Sequence, residues 1–311
     1  MKKALYFSFL FLFSYLNYAQ ETTYTETELS INEMIDGTLV IPNTTIAPNL
    51  VIFIQGSGPT DRNGNQMMMK NDGIKKIAHQ LGEHGIASYR FDKRIFKMNK
   101  FRIKEEDLRF EDFVTDVNSI LEYFNANDQF AKLILAGHSE GSLIGMLAAA
   151  QGAEAFISLA GAGESIDKII VAQIAKQSKE LSENAAQAFK EIDSTGKSVN
   201  YNPLLASIFR PSVQPYMKSW MKYDPAIEIK KLDIPVLIIN GTADIQVEVK
   251  DAQLLKAAKP EAQLDIIENM NHIFRNVGED LLQNTKTYNE AHRPLHEDLI
   301  PVLTNFIQSL E

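Results

Sequence analysis

Gly137-His138-Ser139-Glu140-Gly141 follows the apolar run Ala131-Lys132-Leu133-Ile134-Leu135-Ala136 and precedes Ser142-Leu143-Ile144-Gly145-Met146-Leu147-Ala148-Ala149-Ala150. This is G-x-S-x-G between a buried strand and a helix of small residues, the context that gives the pattern meaning. A serine hydroxyl becomes a useful nucleophile only when it stands exposed beside a base and near backbone N–H donors. A strained strand-to-helix turn presents it that way, and the flanking glycines let strand and helix approach closely. On its own the pentapeptide is often a chance turn. With the strand before it and the helix after it, the nucleophile reading of Ser139 is favoured.

Working outward, strand and helix patterns alternate. Leu50-Val51-Ile52-Phe53-Ile54 is continuously apolar, as in a parallel sheet buried on both faces, and ends in Gln55-Gly56-Ser57-Gly58-Pro59. Ile74, Ile77, Ala78 and Leu81 show helical spacing, and Ile86 to Phe91 reads as the next strand. Phe113, Val117, Ile120, Leu121 and Phe124 form one stripe of a helix over about 110–125. Ala155 to Ala160, Ile234 to Asn240 and Ala262 to Ile267 supply further strands, with a helix over about 247–258 and a closing helix over 295–310. Upstream, Asp36-Gly37 reads as a hairpin turn between two short strands. The alternation predicts an α/β fold, a mostly parallel sheet with helices on both faces. It stops between Glu164 and Lys231, a polar stretch expected to be largely helical over Ile166 to Lys179, Leu181 to Ile192 and Tyr201 to Trp220, and read as a lid inserted after a strand. The expected divisions are a leader at 1–19, N-terminal strands at 20–47, a first core segment at 48–163, the insertion at 164–231 and a second core segment at 232–311.

A serine nucleophile needs a base, and a carboxylate to orient that base. Of the six histidines, His79 and His84 fall on a helix, and His138 sits inside the turn, awkwardly placed to reach its neighbour. His292 and His296 flank Pro294, near the start of the last helix. His272 follows a strand on the short turn Asn269-Met270-Asn271-His272. Asp244 holds the matching place after the preceding strand, in Gly241-Thr242-Ala243-Asp244. An aspartate there is commonly a turn or capping residue. In the order Ser139…Asp244…His272, at strand ends, it completes a nucleophile–acid–base set.

The 311 residues carry a formal net charge of -9, with 45% hydrophobic and 23% charged residues. That balance is globular and, lacking a basic face, excludes a nucleic-acid partner. There is no cysteine, so disulfides, thiolate metal sites and a cysteine nucleophile are excluded together. Lys2-Lys3, the apolar Ala4 to Leu16 and the small Ala19 have the layout of a secretory signal peptide, cleaved after Ala19. The apolar run is short of the roughly 20 residues a membrane span needs. The expectation is a secreted or periplasmic protein with no stable membrane insertion.

The chain resembles the α/β-hydrolase superfamily over about 48–310, and within it exported bacterial members of the serine-aminopeptidase-like (S33-type) branch, many treated as esterases. The resemblance is carried by the run from Gln55 to Asn65, by Tyr89-Arg90-Phe91-Asp92-Lys93-Arg94, by the Ser139 turn, by Leu159-Ala160-Gly161-Ala162-Gly163, and by the Asp244 and His272 turns. It departs where Gln55 replaces a common histidine and where Ile95-Phe96 replaces a common glycine. It implies an oxyanion hole made by the backbone N–H groups of Glu140 and Ser57, with Gly56 competing for the second place. Asp61-Arg62 and Asp92-Lys93-Arg94 are expected to form a polar network holding these loops. The function expected is hydrolysis of a small-molecule carboxylic ester through an acyl-enzyme, with no metal or organic cofactor. The alternative is a peptidase acting on short peptides, with Glu140 or Glu164 holding the substrate ammonium. Acyl transfer to another acceptor and a non-catalytic binding protein rank below these.

Overall fold

A computed structural model describes residues 23–43, 45–278 and 280–310, so the leader expected over 1–19 lies outside the described residues. The strands are β1 (Tyr24–Ser30), β2 (Asp36–Pro42), β3 (Leu50–Ile54), β4 (Ala87–Phe91), β5 (Leu133–His138), β6 (Ala155–Leu159), β7 (Val236–Gly241) and β8 (Gln263–Ile267). They form one sheet in the order β1-β2-β4-β3-β5-β6-β7-β8. β1, β2 and β4 pair antiparallel, and every pairing from β4 through β8 is parallel. The longer helices are α1 (Gly73–Glu83), α2 (Phe110–Asn125), α3 (Glu140–Ala148), α4 (Ile166–Ala175), α5 (Lys179–Thr195), α6 (Gln214–Trp220), α7 (Val249–Ala258) and α8 (Leu299–Ser309). This is the mostly parallel sheet expected from the strand and helix alternation, in the α/β-hydrolase fold that the resemblance implies.

The continuous apolarity of β3 has its reason in the two helix layers. Leu50, Ile52 and Ile54 pack in one core with Phe113, Val117 and Ile120 of α2 and Ile144 of α3. Val51 and Phe53 point the other way, into a core with Ile74, Ile77 and Leu81 of α1 and Leu303, Phe306 and Ile307 of α8. Each such side chain contributes roughly 1.5–3 kcal/mol by leaving water. Pro301 does not break α8, because it stands in the first turn, where backbone N–H groups have no helical partner to lose.

Two expectations need correction. Asp36 and Gly37 lie inside β2, with Asp36 paired to Ser30, and do not form the turn. The reversal occurs over Ile31 to Ile35, where the Asn32 side chain accepts from the N–H groups of Met34 and Ile35 at 2.8 and 3.0 Å. Gly37 is needed for packing: a Cβ there would stand 2.2 Å from the Tyr89 hydroxyl. The second correction concerns Tyr201 to Trp220. Pro203, Pro211 and Pro215 interrupt it, leaving short helical pieces at Ala206–Phe209 and α6.

Candidate active site

The parallel strands all point their carboxyl ends to one edge, and the residues singled out from sequence lie there. β5 runs into Ser139, whose φ of 54° and ψ of -120° put it in the sparsely populated positive-φ region. The strain is held by packing on both sides. A Cβ on Gly141 would lie 2.2 Å from the Ile54 carbonyl oxygen, so α3 crosses β3 at a distance only glycine allows. The Ser139 N–H donates to the Leu159 carbonyl at 2.9 Å, fastening the turn to β6.

The turns after β7 and β8 bring Asp244 and His272 together. His272 Nδ1 lies 2.7 Å from Asp244 Oδ2, and both side chains are buried. A carboxylate can only accept, so Nδ1 carries the proton and Nε2 is left as the basic nitrogen. The second carboxylate oxygen of Asp244 accepts from the N–H groups of Gln246 and Val247 at 2.8 and 2.9 Å. Asp244 is therefore a turn residue and a histidine partner at once. Asp265, another carboxylate near His272 in sequence, lies on β8 and accepts from the Gln263 side chain at 2.7 Å.

His138 links these turns to the serine turn. Its Nε2 donates to the His272 carbonyl at 2.9 Å, and its ring lies 4.7 Å from the His272 ring and 5.0 Å from the Phe274 ring. Burial, with the neighbouring His272 adding to it, pushes His138 down to about 3, so the ring is neutral near pH 7. Reasoning from sequence saw His138 only as a poor base and missed this supporting contact. The remaining histidines stand away from the site: His79 pairs with Glu26 at 3.1 Å, and His296 is buried with its Nδ1 accepting from the Asp298 N–H.

A cavity of about 350 Å³ opens over Ser139, with Ser57 and Glu140 on its wall. Its apolar lining comes largely from α3 and α4 (Leu143, Ile166, Ile169, Ile170), with Trp220 from α6. The helices between β6 and β7 thus form much of one wall. Among the described residues, the N–H groups of Ser57 and Glu140 have no hydrogen-bond acceptor. Met67 and Met68, with 96% and 81% of their surface exposed, are not part of this lining. Phe209 is buried in the core.

The polar network expected around the two loops is present and reaches further than the sequence suggests. Arg62 makes paired bonds to Asp92 at 3.0 and 2.6 Å, and Arg94 pairs with Asp116. Glu140 is enclosed: one oxygen accepts from Lys93 at 2.6 Å and the other from the Tyr216 hydroxyl. Burial, then the Glu140 charge, holds that phenol well above its usual range, so it stays protonated and donates. These partners lie 47 and 76 residues from Glu140, and no local pattern announces them.

Sheet order, edge site and elbow define a member of the α/β-hydrolase class. The family follows from the sequence: the serine aminopeptidase, S33 family model matches residues 68–276, and the chain belongs to that family. A curated relative, Esterase EstD of Thermotoga maritima, is 24% identical over 265 residues, which cover 83% of this chain and 62% of EstD. Among solved structures, Est1E from Butyrivibrio proteoclasticus is similar at a TM-score of 0.56 and 19% identity, covering 91% of this chain and 99% of Est1E. The Pyrococcus horikoshii acylaminoacyl peptidase is similar at 0.55 and 16% identity, covering 94% of this chain and 42% of the peptidase. At these identities the structural matches speak for the fold alone.

Proposed function

We propose that the protein is a serine hydrolase that cleaves carboxylic esters through an acyl-enzyme. The observation that carries this reading is the buried Asp244–His272 pair, joined through His138 to the strained turn that holds Ser139. In the proposed mechanism Ser139 Oγ attacks the ester carbonyl carbon while His272 Nε2 takes its proton. The carbonyl oxygen becomes an oxyanion and is received by the N–H groups of Ser57 and Glu140. Collapse expels the alcohol, protonated by His272. A water then repeats the sequence on the acyl-Ser139 ester, with His272 as base, and releases the acid. Asp244 keeps the imidazole in the tautomer these steps require.

The family name favours a second reading, release of an N-terminal residue. Such a substrate brings an ammonium group that needs an anionic partner once it leaves water. Glu140 does not offer one, since both its oxygens are engaged. Glu164, the other carboxylate on the cavity wall, is the residue that would serve. The apolar lining and the esterase name of the Thermotoga relative support the ester reading. The leader-like residues 1–19 support export as part of the same proposal.

The deciding experiment compares N-acylated and free-amine substrates bearing the same ester leaving group, with Ser139→Ala as control. The expected result is a higher kcat/KM for the N-acylated compound, with turnover lost in the control. A higher kcat/KM for the free amine, lowered by Glu164→Gln, would replace the ester reading with the peptidase one.

A further inference from the structure

Lys93 leaves β4 and turns inward, 4% exposed, with its ammonium 4.7 Å from the centre of the Phe113 ring. Burying a lysine is costly unless it is paired and hydrogen-bonded. Here it reaches Glu140 Oε2 at 2.6 Å and the Gly56 carbonyl oxygen at 2.8 Å. These acceptors belong to the two segments whose amides line the cavity over Ser139. The Gly56 carbonyl and the Ser57 N–H are the two ends of one peptide unit. Among the described residues no peptide bond is cis, and in a planar trans peptide C=O and N–H point in opposite directions. An ammonium that holds the carbonyl on one side therefore fixes the direction of the N–H on the other. It also draws electron density through the amide, making that N–H a stronger donor. The same ammonium clamps the side chain of Glu140, whose own N–H opens α3, and Tyr216 closes the frame from α6.

We infer that Lys93 is a positioning residue of the oxyanion site, orienting and polarising the Gly56–Ser57 peptide and tying it to Glu140. The inference rests on the proposed serine-hydrolase reading and adds to it a cation that acts without touching substrate. A purely structural ion pair, fastening the loop after β4 to the sheet, would show the same distances but would not select for the transition state.

Lys93→Met alone would leave the Glu140 carboxylate buried and unpaired, so the informative variant is Lys93→Met with Glu140→Gln, neutral on both sides. The full chain is assayed on p-nitrophenyl butyrate, with thermal melting as the check on folding. Affinity for an alkyl trifluoromethyl ketone, which forms a tetrahedral oxyanion adduct with a serine, is measured beside it. Losing an oxyanion donor outright costs about 10²–10³ in kcat, so a donor left in place but unheld is expected to cost about 10- to 100-fold. KM should stay near wild type, and ketone affinity should fall in step with kcat. Tyr216→Phe alone removes a neutral donor from Glu140, keeps the ammonium on both Glu140 and the Gly56 carbonyl, and should lose less than the double variant. A folded double variant with near-wild-type kcat would overturn the inference. So would a fall in kcat with ketone affinity unchanged, or a single variant as impaired as the double. Wild-type protein that neither turns over esters nor forms the ketone adduct would instead reject the serine-hydrolase reading itself.

Discussion

Replacing Asp244 with asparagine should silence the site while leaving its geometry nearly intact. One carboxylate oxygen accepts from the N–H groups of Gln246 and Val247 at 2.8 and 2.9 Å, and the other faces His272 Nδ1 at 2.7 Å. Asparagine keeps an acceptor for the two turn amides and presents its NH₂ group to the imidazole. Two N–H donors cannot share that distance, so His272 is driven to the tautomer protonated on Nε2. In the proposed mechanism Nε2 takes the Ser139 proton, and in this tautomer it is already occupied. The expected loss is about 10⁴-fold in kcat, roughly 5.4 kcal/mol of transition-state stabilisation, with KM little changed. Release of p-nitrophenolate at saturating ester gives kcat, and thermal melting confirms that the turn survives. Asp265→Asn is the control, since Asp265 is bonded to the Gln263 side chain. Near-normal turnover in Asp244→Asn with collapse in Asp265→Asn would refute the reasoning.

Two further outcomes follow from packing and protonation. Gly141→Ala places a methyl 2.2 Å from the Ile54 carbonyl and should destabilise the fold by about 1–3 kcal/mol in a guanidinium titration; a loss below about 0.5 kcal/mol would contradict the crossing described at the elbow. His138 titrates at about 3 when folded against an ordinary 6.5, so the unfolded chain takes that proton first as pH falls. Its contribution to stability is therefore full above about pH 6.5 and lost progressively toward pH 3, at up to about 1.4 kcal/mol per pH unit. His138→Gln should flatten that part of the acid limb, and an unchanged slope between pH 6 and 4 would refute the assignment.

How much of this could be read from the chain depends on the range of the interaction concerned. Strand β3, buried on both faces, announces itself because every residue is apolar, and α2 because its stripe repeats at helical spacing. Asp244 and His272 were legible because strand ends in a parallel sheet converge on one edge, so chain order alone puts them near each other. Asp36-Gly37 misled because a glycine that marks a turn and a glycine that admits a tyrosine ring look alike in sequence. The bond from His138 to the His272 backbone spans 134 residues, and the frame around Glu140 draws on the loop after β4 and on α6. Such contacts depend on which loops face each other across the site, and hydrophobic periodicity carries no information about that.

The enclosure of Glu140 bears on substrate choice as well as on geometry. A glutamate beside the nucleophile reads equally well from sequence as an anchor for a substrate amine or as an ordinary elbow residue. With its carboxylate shared between Lys93 and Tyr216, an arriving ammonium would have to displace one of them. Displacing Lys93 would strand a buried cation, at a cost of several kcal/mol, and would free the Gly56 carbonyl at the same time. Binding an amine at Glu140 would therefore loosen the peptide proposed to receive the oxyanion, weakening catalysis in the act of binding. An ester with an uncharged acyl group makes no such demand, since it meets an apolar wall and leaves the frame intact. Glu164 is then the one carboxylate on the wall of this cavity from which an amine preference could be built without dismantling the proposed oxyanion site.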